Sequence, residues 1–179
     1  MTGLPGHGLR GYALEEAVNL TNEVYLRGGL ALVQKIPTPI VPTRIDSNTG
    51  RIAEAFFDAK STVDYIGAVQ GIPICFDAKE CARDTFPLKN IHDHQIAFME
   101  AMERQGGIAF LVLYFTEREE AFYLRMAKLQ EFLARESAGG RKSFLVSEME
   151  EGFLLKSHDG LLIPYLDGVK LDLEMREDN

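Results

Sequence analysis

The stretch STVDYIGAVQGIPICFDAKEC, residues 61–81, has the pattern of two β-strands joined by a tight turn. Two aspartates and a lysine stand out in this largely apolar pattern: Asp64 opens the first strand, and Asp77 and Lys79 lie near the end of the second. Charged side chains on a buried or half-buried strand are costly unless they are paired or hold a metal. The segment therefore predicts both a central pair of strands and a candidate site on it.

Alternation along the strand places Asp77 and Lys79 on the same face. Asp64 can converge with Asp77 on one Mg²⁺ ion, because this ion prefers oxygen ligands. Glu15 or Glu16 of the first predicted helix could complete a third side of the metal site. Phosphodiester hydrolysis needs such a set, because a divalent ion lowers the pKa of the attacking water and a cation stabilises the developing charge. The alternative is a solvated Asp77–Lys79 ion pair on a surface hairpin, which would add little stability.

The composition is that of a globular protein with one domain. The chain has 179 residues, of which 46% are apolar and 26% are charged. No apolar run reaches the roughly 18 residues that a membrane span needs, and the first residues lack the pattern of a signal peptide. The two cysteines, Cys75 and Cys81, do not have the spacing of a zinc site. We therefore expect a cytoplasmic protein with free thiols and no membrane partner.

The net charge of −8 argues against a nucleic-acid partner, because such binding relies on Lys and Arg at the phosphates. Much of the acid, however, lies in residues 147–151 and 172–179. Other acidic residues would count as metal ligands rather than as surface charge. The net charge alone therefore does not decide which partner the protein binds.

The predicted elements follow the order helix, several strands, helix, two strands and helix, which is typical of an α/β or α+β domain. Residues 1–11 are predicted to be a flexible arm, residues 12–170 a single domain and residues 171–179 an acidic tail. Three prolines in residues 36–60 exclude a central strand, so this segment is predicted as a projecting hairpin or stalk. The apolar run at residues 108–115 predicts a strand buried on both faces.

Six motifs appear in the order GYALEEAVNLTNEVYL, KIPTPI, AFFDAKSTVDYIG, CFDAKE, TFPLKNIHDHQIAFM and GGRKSF. Together they resemble the RecU family of Holliday junction resolvases over about residues 10–145, and the run FPL-N-HDHQI after an acid-x-lysine strand is long enough to be specific. The resemblance implies a restriction-endonuclease-like nuclease fold, with a central mixed sheet flanked by helices. It also implies a homodimer that cuts four-way DNA junctions symmetrically with Mg²⁺ or Mn²⁺.

The resemblance assigns roles to individual positions. Asp64 matches the first metal-binding aspartate of the family, and Lys79 matches its catalytic lysine. Asp77 occupies the metal-binding position at which the family more often has glutamate. Glu15 matches a glutamate of the first helix, which reaches the metal directly or through water. Cys75 departs from the pattern because the family can carry an additional acid there, and activity would be weakened if that acid is a ligand.

In the family the projecting segment is a stalk that enters the centre of the junction. Basic residues of this segment and of the GGRKS segment are candidate contacts to DNA phosphates: Arg44, Arg51, Lys60, Arg141 and Lys142. For each of them, a solvated surface charge is the alternative. His92 and His94 are interpreted as residues that cap and pack a helix, with His92 and Gln95 as candidate neighbours of DNA or of the active site.

We therefore predict a Mg²⁺-dependent, structure-selective endodeoxyribonuclease that resolves Holliday junctions by symmetric paired nicks in DNA recombination and repair. Its predicted partners are four-way junction DNA, a second copy of the chain, and a recombinase or branch-migration motor. Three alternatives stay open. They are a junction-binding protein with a weakened site that modulates a recombinase, a nuclease for ordinary duplex or flapped DNA, and a globular protein without a nucleic-acid partner.

Overall fold

The strand pair predicted within residues 61–81 belongs to a six-stranded sheet. The computed structural model describes residues 13–37, 40–57 and 62–177. Its α-helices are α1 (Leu14–Arg27), α2 (Asp93–Arg104), α3 (Met126–Ser137) and α4 (Tyr165–Glu177). Its strands are β1 (Ala31–Lys35), β2 (Ile40–Ile45), β3 (Ile52–Phe57), β4 (Tyr65–Val69), β5 (Ile72–Cys81), β6 (Thr85–Pro87), β7 (Ile108–Phe115), β8 (Glu120–Arg125), β9 (Ser143–Leu145) and β10 (Leu154–Leu155).

The strands of the sheet follow the order β1-β4-β5-β7-β8-β10. β5 and β7 run parallel, with Asp77 opposite Leu111, and the other neighbouring pairs are antiparallel. α2 lies in the connection between the two parallel strands, which is the usual arrangement. All residues of β7 are buried, as its continuous apolar run predicts. The predicted α+β class, with a central mixed sheet and helices against it, is confirmed.

Helices cover both faces of the sheet. On one face, α1 and α4 pack through residues such as Val18 and Val169. On the other face, α2 and α3 pack through residues such as Met99 and Leu129. Side chains alternate along each strand, so the strands in the middle of the sheet contribute to both apolar clusters. Within the described part of the chain, none of the helices is long and apolar enough to cross a membrane.

Four aromatic rings stack across neighbouring strands on the face under α1 and α4. The ring centroids of Tyr65 and Phe76 are 4.7 Å apart, and those of Phe76 and Phe110 are also 4.7 Å apart. Phe110 continues the stack to Tyr123 at 4.3 Å. Phe76 pairs directly with Tyr65 on β4 and with Phe110 on β7, so the stack and the strand register support each other. This register determines where the charged residues of β5 lie.

β2 and β3 form a separate two-stranded sheet, so the segment at residues 36–60 contains a hairpin, as predicted. Its role as a projecting stalk stays a prediction. Asp46 accepts backbone N–H bonds from the turn that connects the two strands, as expected for an aspartate at the start of a turn. Most side chains of the hairpin are exposed. Lys60, at the end of the predicted stalk, and the predicted arm at residues 1–11 lie outside the described residues.

The boundary predicted between a domain and an acidic tail at residues 171–179 differs from the structure, in which residues 171–177 continue α4. Asp172 is buried and accepts a hydrogen bond from the Tyr123 hydroxyl at 3.0 Å. Arg176, one turn later, pairs with the same carboxylate at 3.0 Å. An acidic residue that the sequence analysis assigned to a tail is therefore part of an internal network. α4 was missed because its inner face includes this polar group.

Gly67 on β4 lies against the backbone of β1, and we expect Gly67→Ala to destabilise the fold strongly. A Cβ atom at this position would lie 2.2 Å from the Leu32 carbonyl oxygen and 2.7 Å from the Val33 Cα. Because these are backbone atoms, the overlap can be relieved only by shifting β1 against β4. We expect the free energy of unfolding to fall by about 3 kcal/mol in chemical denaturation.

Gly28→Ala is the matched control for this substitution. Gly28 has an ordinary φ of −79°, and a Cβ there would meet its nearest atom at 3.4 Å. Alanine should therefore be tolerated at residue 28 or be slightly stabilising. Equal losses in the two variants would contradict the explanation by backbone overlap at Gly67.

Candidate active site

Asp77 lies on β5, between β4 and β7, and is completely buried. Its Oδ1 accepts the backbone N–H of Asp64 at 2.7 Å. Its Oδ2 accepts the side-chain amide of Gln95 and pairs with the Lys79 Nζ at 2.7 Å. Both carboxylate oxygens therefore have partners, as a buried charge requires. The alternative of a solvated ion pair on a surface hairpin does not describe Asp77.

Asp64 directly precedes β4 and is half-buried. Its Oδ2 accepts the backbone N–H of Ala78 at 3.0 Å, while its own backbone N–H bonds to Asp77. Each aspartate thus holds the backbone of the other strand, so the antiparallel pairing of β4 and β5 brings the two carboxylates together. The structure places Asp64, Asp77 and Lys79 in one site.

Burial is the largest effect on the Asp77 carboxyl and raises its pKa to about 6. The hydrogen bond from Lys79 lowers this pKa, and the charge of Asp64 raises it. The ionised form of Asp77 is therefore unfavourable in its buried position. A cation between the two aspartates would stabilise this ionised form. Perturbed carboxyl groups of this kind are common at functional sites.

This electrostatic balance predicts how stability without metal depends on pH. The folded protein holds the Asp77 proton more tightly than the unfolded chain, because the pKa rises from 3.8 to about 6. The stabilising contribution is therefore complete below pH 3.8 and is lost as the pH rises through about 6. It amounts to about 3 kcal/mol, since each pKa unit corresponds to about 1.4 kcal/mol.

Chemical denaturation in EDTA over a pH series would measure this contribution in wild type and in Asp77→Asn. The wild type is expected to lose stability relative to Asp77→Asn as the pH rises from about 4 to about 7. Carboxyl groups away from the site contribute equally to both proteins and cancel in the difference. Parallel pH curves for the two proteins would contradict the raised pKa of Asp77.

Gln95 is a member of the site that the sequence analysis names only as a candidate neighbour. It lies in the first turn of α2 and is 5% exposed. Its Oε1 accepts the backbone N–H of His92 at 3.1 Å, so its amide NH₂ group faces Asp77. His92 occupies the N-cap position of α2, where its backbone carbonyl oxygen accepts the Gln95 N–H at 2.9 Å. That its side chain caps the helix stays a prediction. The sequence signal was a Gln at the third helical position, where a side chain can reach back to the cap.

Glu15 does not join the two aspartates in the structure. Its carboxylate pairs with Lys35 at the surface, where the two side chains are 57% and 42% exposed. Glu80 on β5 accepts the backbone N–H of Leu14 at 2.8 Å and thereby holds the start of α1 next to the strand. Among the residues that the structure describes, no three His, Cys, Asp or Glu side chains form a group that could hold a metal ion. A metal role for Glu15 stays a prediction.

Cys75 lies on β5 two residues before Asp77 but in a different environment. It is completely buried and belongs to the apolar cluster under α2, together with residues such as Met99 and Leu111. Burial raises the pKa of its thiol to about 12. Cys75 and Cys81 are free thiols, as predicted. An acid in place of Cys75 would be surrounded mainly by apolar side chains.

The predicted DNA contacts that the structure describes are all exposed. Arg44 pairs across the hairpin with Glu54 at 3.2 Å, and its side chain is 66% exposed. Arg51 is exposed near the hairpin turn. Arg141 pairs with Glu148 at 3.3 Å, whereas Lys142 is exposed beside it. The two paired arginines would have to exchange a carboxylate for a phosphate on binding DNA.

The groups at the site fit a hard divalent cation. Two carboxylates would supply oxygen ligands. Among the described residues, the side chains that bond to Asp77 are an amide and an ammonium, with no thiol or imidazole that would favour a softer metal. Mg²⁺ is commonly held by one or two carboxylates together with several waters, so a third acidic residue is not required. The donor set therefore agrees with the Mg²⁺ or Mn²⁺ that the sequence analysis predicts.

The fold and the site define a class of α+β protein, in which the mixed sheet carries a buried aspartate and a lysine two residues apart, with a second aspartate from the neighbouring strand. The family model described as Recombination protein U matches residues 9–171. The chain belongs to this RecU family, as its motifs predict.

Several relatives of known name are similar over most of the chain. The Holliday junction resolvase RecU of Pediococcus pentosaceus is 41% identical over 175 residues, which cover 95% of this chain and 87% of that protein. The Holliday junction resolvase RecU of a Geobacillus species is 43% identical over 150 residues, or 82% and 75% of the two chains. Among solved structures, the Holliday junction resolvase Hjc of Archaeoglobus fulgidus aligns with 62% of this chain and 73% of its own, with a TM-score of 0.36 and 7% identity.

Proposed function

We propose that this chain is a Mg²⁺-dependent, structure-selective endodeoxyribonuclease that resolves Holliday junctions by symmetric paired nicks in recombination and repair. Its RecU relatives are named Holliday junction resolvases. The observation that carries the proposal is the buried Asp77, held between Asp64, Lys79 and Gln95. A well-packed apolar residue at this position would make the folded protein at least as stable. A buried carboxylate next to a lysine is therefore better explained by a chemical role.

Asp64 and Asp77 would hold the metal ion, with Glu15 acting directly or through water. Mg²⁺ is the proposed ion, and Mn²⁺ has the same preference for oxygen ligands. When bound, the ion would polarise the scissile phosphate and lower the pKa of the attacking water. The raised pKa of Asp77 supports this assignment, because the ionised form of the carboxyl needs a positive partner.

Lys79 would bring its ammonium group to the phosphate. Its Nζ contacts the buried carboxylate of Asp77, and its side chain is 21% exposed, so it extends from the interior of the site to the surface. An ammonium at this point can bind a phosphate oxygen and stabilise the negative charge of the transition state. Gln95 would keep Asp77 in one orientation, since the His92 N–H determines which side of the Gln95 amide faces the carboxylate.

Two opposed strands must be cut, so we propose that the chain acts as a homodimer with two-fold symmetry. β1 lies at the edge of the six-stranded sheet. Apolar side chains near this edge are exposed: Leu26 by 56%, Leu30 by 48% and Leu32 by 63%. An apolar patch next to an unpaired strand edge favours association with a second copy. A recombinase or branch-migration motor as a further partner, and the cytoplasmic location, stay predictions.

The hairpin of β2 and β3 would enter the centre of the junction, with Arg44, Arg51 and Lys60 at phosphates. Arg141 and Lys142 would contact the backbone of a DNA arm. These contacts position the DNA without reading its sequence. A projecting hairpin that fits only between the arms of a branched molecule would make the enzyme selective for junctions over ordinary duplex or flapped DNA.

A junction-binding protein with a weakened site is the second candidate, and the observation that favours it is Cys75 in place of an acid. The burial of Cys75 among apolar side chains supports the active enzyme instead, because a hydrated ion would gain nothing from a ligand at that depth. Mn²⁺ affinity distinguishes the candidates, since a weakened site should bind Mn²⁺ poorly while the protein still binds junction DNA.

Cleavage of a labelled four-way junction by the purified protein, with Mg²⁺ or Mn²⁺, tests the proposed function. A linear duplex and a flapped duplex of the same sequence are the comparison substrates. We expect paired nicks at symmetric positions of opposed strands in the junction and no cutting of the duplex. Tight junction binding without cutting in either metal would favour the second candidate, and equal cutting of all three substrates would favour a general nuclease.

A further inference from the structure

An open surface lies beside the candidate active site, at the start of α2. A surface cavity of about 450 Å³ is lined by Lys89, Ile91, His92, Asp93 and His94. The next residue along the chain is Gln95, whose amide reaches the buried carboxylate of the site. The residues that form the cavity are therefore connected directly to the candidate catalytic residues.

The segment that carries Lys142 is bonded to the segment that leads into this cavity. β6 pairs with β9 in a two-stranded sheet, in which Pro87 lies opposite Ser143. Directly after this pair, the Leu88 backbone N–H donates to the Lys142 carbonyl oxygen at 3.1 Å. Lys89 and Lys142 thus lie on adjoining segments, and both residues are exposed. We call Lys89, His92, His94 and Lys142 the basic track.

The side chains of the basic track differ from the other candidate DNA contacts in their partners. Within the described part of the chain, no carboxylate forms an ion pair with any of these four side chains, in contrast to Arg44 and Arg141. The rings of His92 and His94 stack nearly parallel, with centroids 5.4 Å apart and an angle of 12°. An imidazole has an N–H donor in either protonation state, so both rings can donate to phosphate oxygens.

We propose that the basic track binds the backbone phosphates of the DNA strand next to the phosphodiester that is cut. This inference rests on the proposed function, because it takes the site at Asp64, Asp77 and Lys79 as the place of cleavage. The contacts are with phosphates, so they would position the strand without reading its sequence. Asp93 lines the same cavity, and its negative charge opposes the binding of a phosphate there.

The test is equilibrium binding to a labelled junction in EDTA, where cleavage does not interfere, over a series of salt concentrations. We expect Lys89→Gln to weaken binding several-fold and to reduce the slope of log K against log salt by about 0.9, the value for one phosphate contact. The double variant His92→Ala/His94→Ala should also weaken binding. Asp93→Asn should strengthen it, which no general loss of stability can imitate.

Lys170→Gln is the matched control, because Lys170 is on α4 and its side chain is 79% exposed. Suppose that wild type cuts the junction, and that the Lys89 and histidine variants have the same affinities and salt slopes as this control. This result would overturn the basic track and leave the proposed function intact. A wild type that binds the junction without cutting it, with track variants that bind more weakly, would overturn the proposed function and the placement of the track next to a cleaved bond, and would leave the track as a surface that binds DNA phosphates. A wild type that binds no DNA would overturn both.

Discussion

Asp77→Ala is expected to abolish the metal-dependent cleavage of the junction, with a loss of rate of about 1,000-fold or more, because metal catalysis supplies several kcal/mol. The substitution removes the buried carboxylate and leaves the Gln95 amide and the Asp64 N–H without their acceptor. Lys79 then remains as an uncompensated positive charge, which repels a metal ion. Single-turnover cleavage, together with titration of Mg²⁺ or Mn²⁺, measures both consequences, and binding of the junction in EDTA should persist.

Two further variants separate chemistry from folding. Asp77→Asn keeps the shape of the side chain and removes its charge, so it should also be inactive while remaining folded. Asp172→Asn is the matched control, because Asp172 is a buried carboxylate that bonds to Tyr123 and lies outside the site. It should lose stability but keep its cleavage rate. Cleavage by Asp77→Asn at the rate of Asp172→Asn would show that Asp77 is structural only.

Lys79→Gln is expected to reduce the cleavage rate by about 100- to 1,000-fold, the usual effect of removing one group that stabilises charge in a transition state. Its effect on metal binding should be opposite to that of Asp77→Asn. Lys79 now competes for the Asp77 carboxylate at 2.7 Å, so its loss should leave the affinity for Mn²⁺ unchanged or higher. A slow enzyme that binds metal well would therefore assign Lys79 to the phosphate and Asp77 to the metal.

Lys128→Gln is the control for this second substitution. Lys128 on α3 resembles Lys79 in that its side chain is 22% exposed and pairs with a carboxylate, that of Glu131, at 2.6 Å. It lies outside the candidate site, so its loss should leave the cleavage rate close to that of wild type. If Lys79→Gln also cut the junction at the wild-type rate, the assignment of a catalytic role to Lys79 would be wrong.

The parts of the fold that could be predicted are those with strong local patterns. α1 has apolar residues at helical spacing and ends at the paired glycines Gly28 and Gly29. The strand at residues 108–115 has a continuous apolar run, and the prolines of residues 36–60 exclude a central strand. In each case, neighbours along the chain carry the information. α4 has no such pattern because Asp172 and Gly168 face the interior at Tyr123, and only packing makes these residues suitable there.

The sequence by itself determined the α+β class through local patterns, and its motifs resemble those of the RecU family to which the chain belongs. It also predicted Asp64, Asp77 and Lys79 as the candidate site. Only the tertiary structure decided that Gln95 faces Asp77, that Cys75 belongs to an apolar cluster, and that Glu15 pairs with Lys35. These facts depend on which surfaces meet when helices pack on the sheet. Burial and charge pairing are properties of the folded chain, and spacing along the sequence does not specify them.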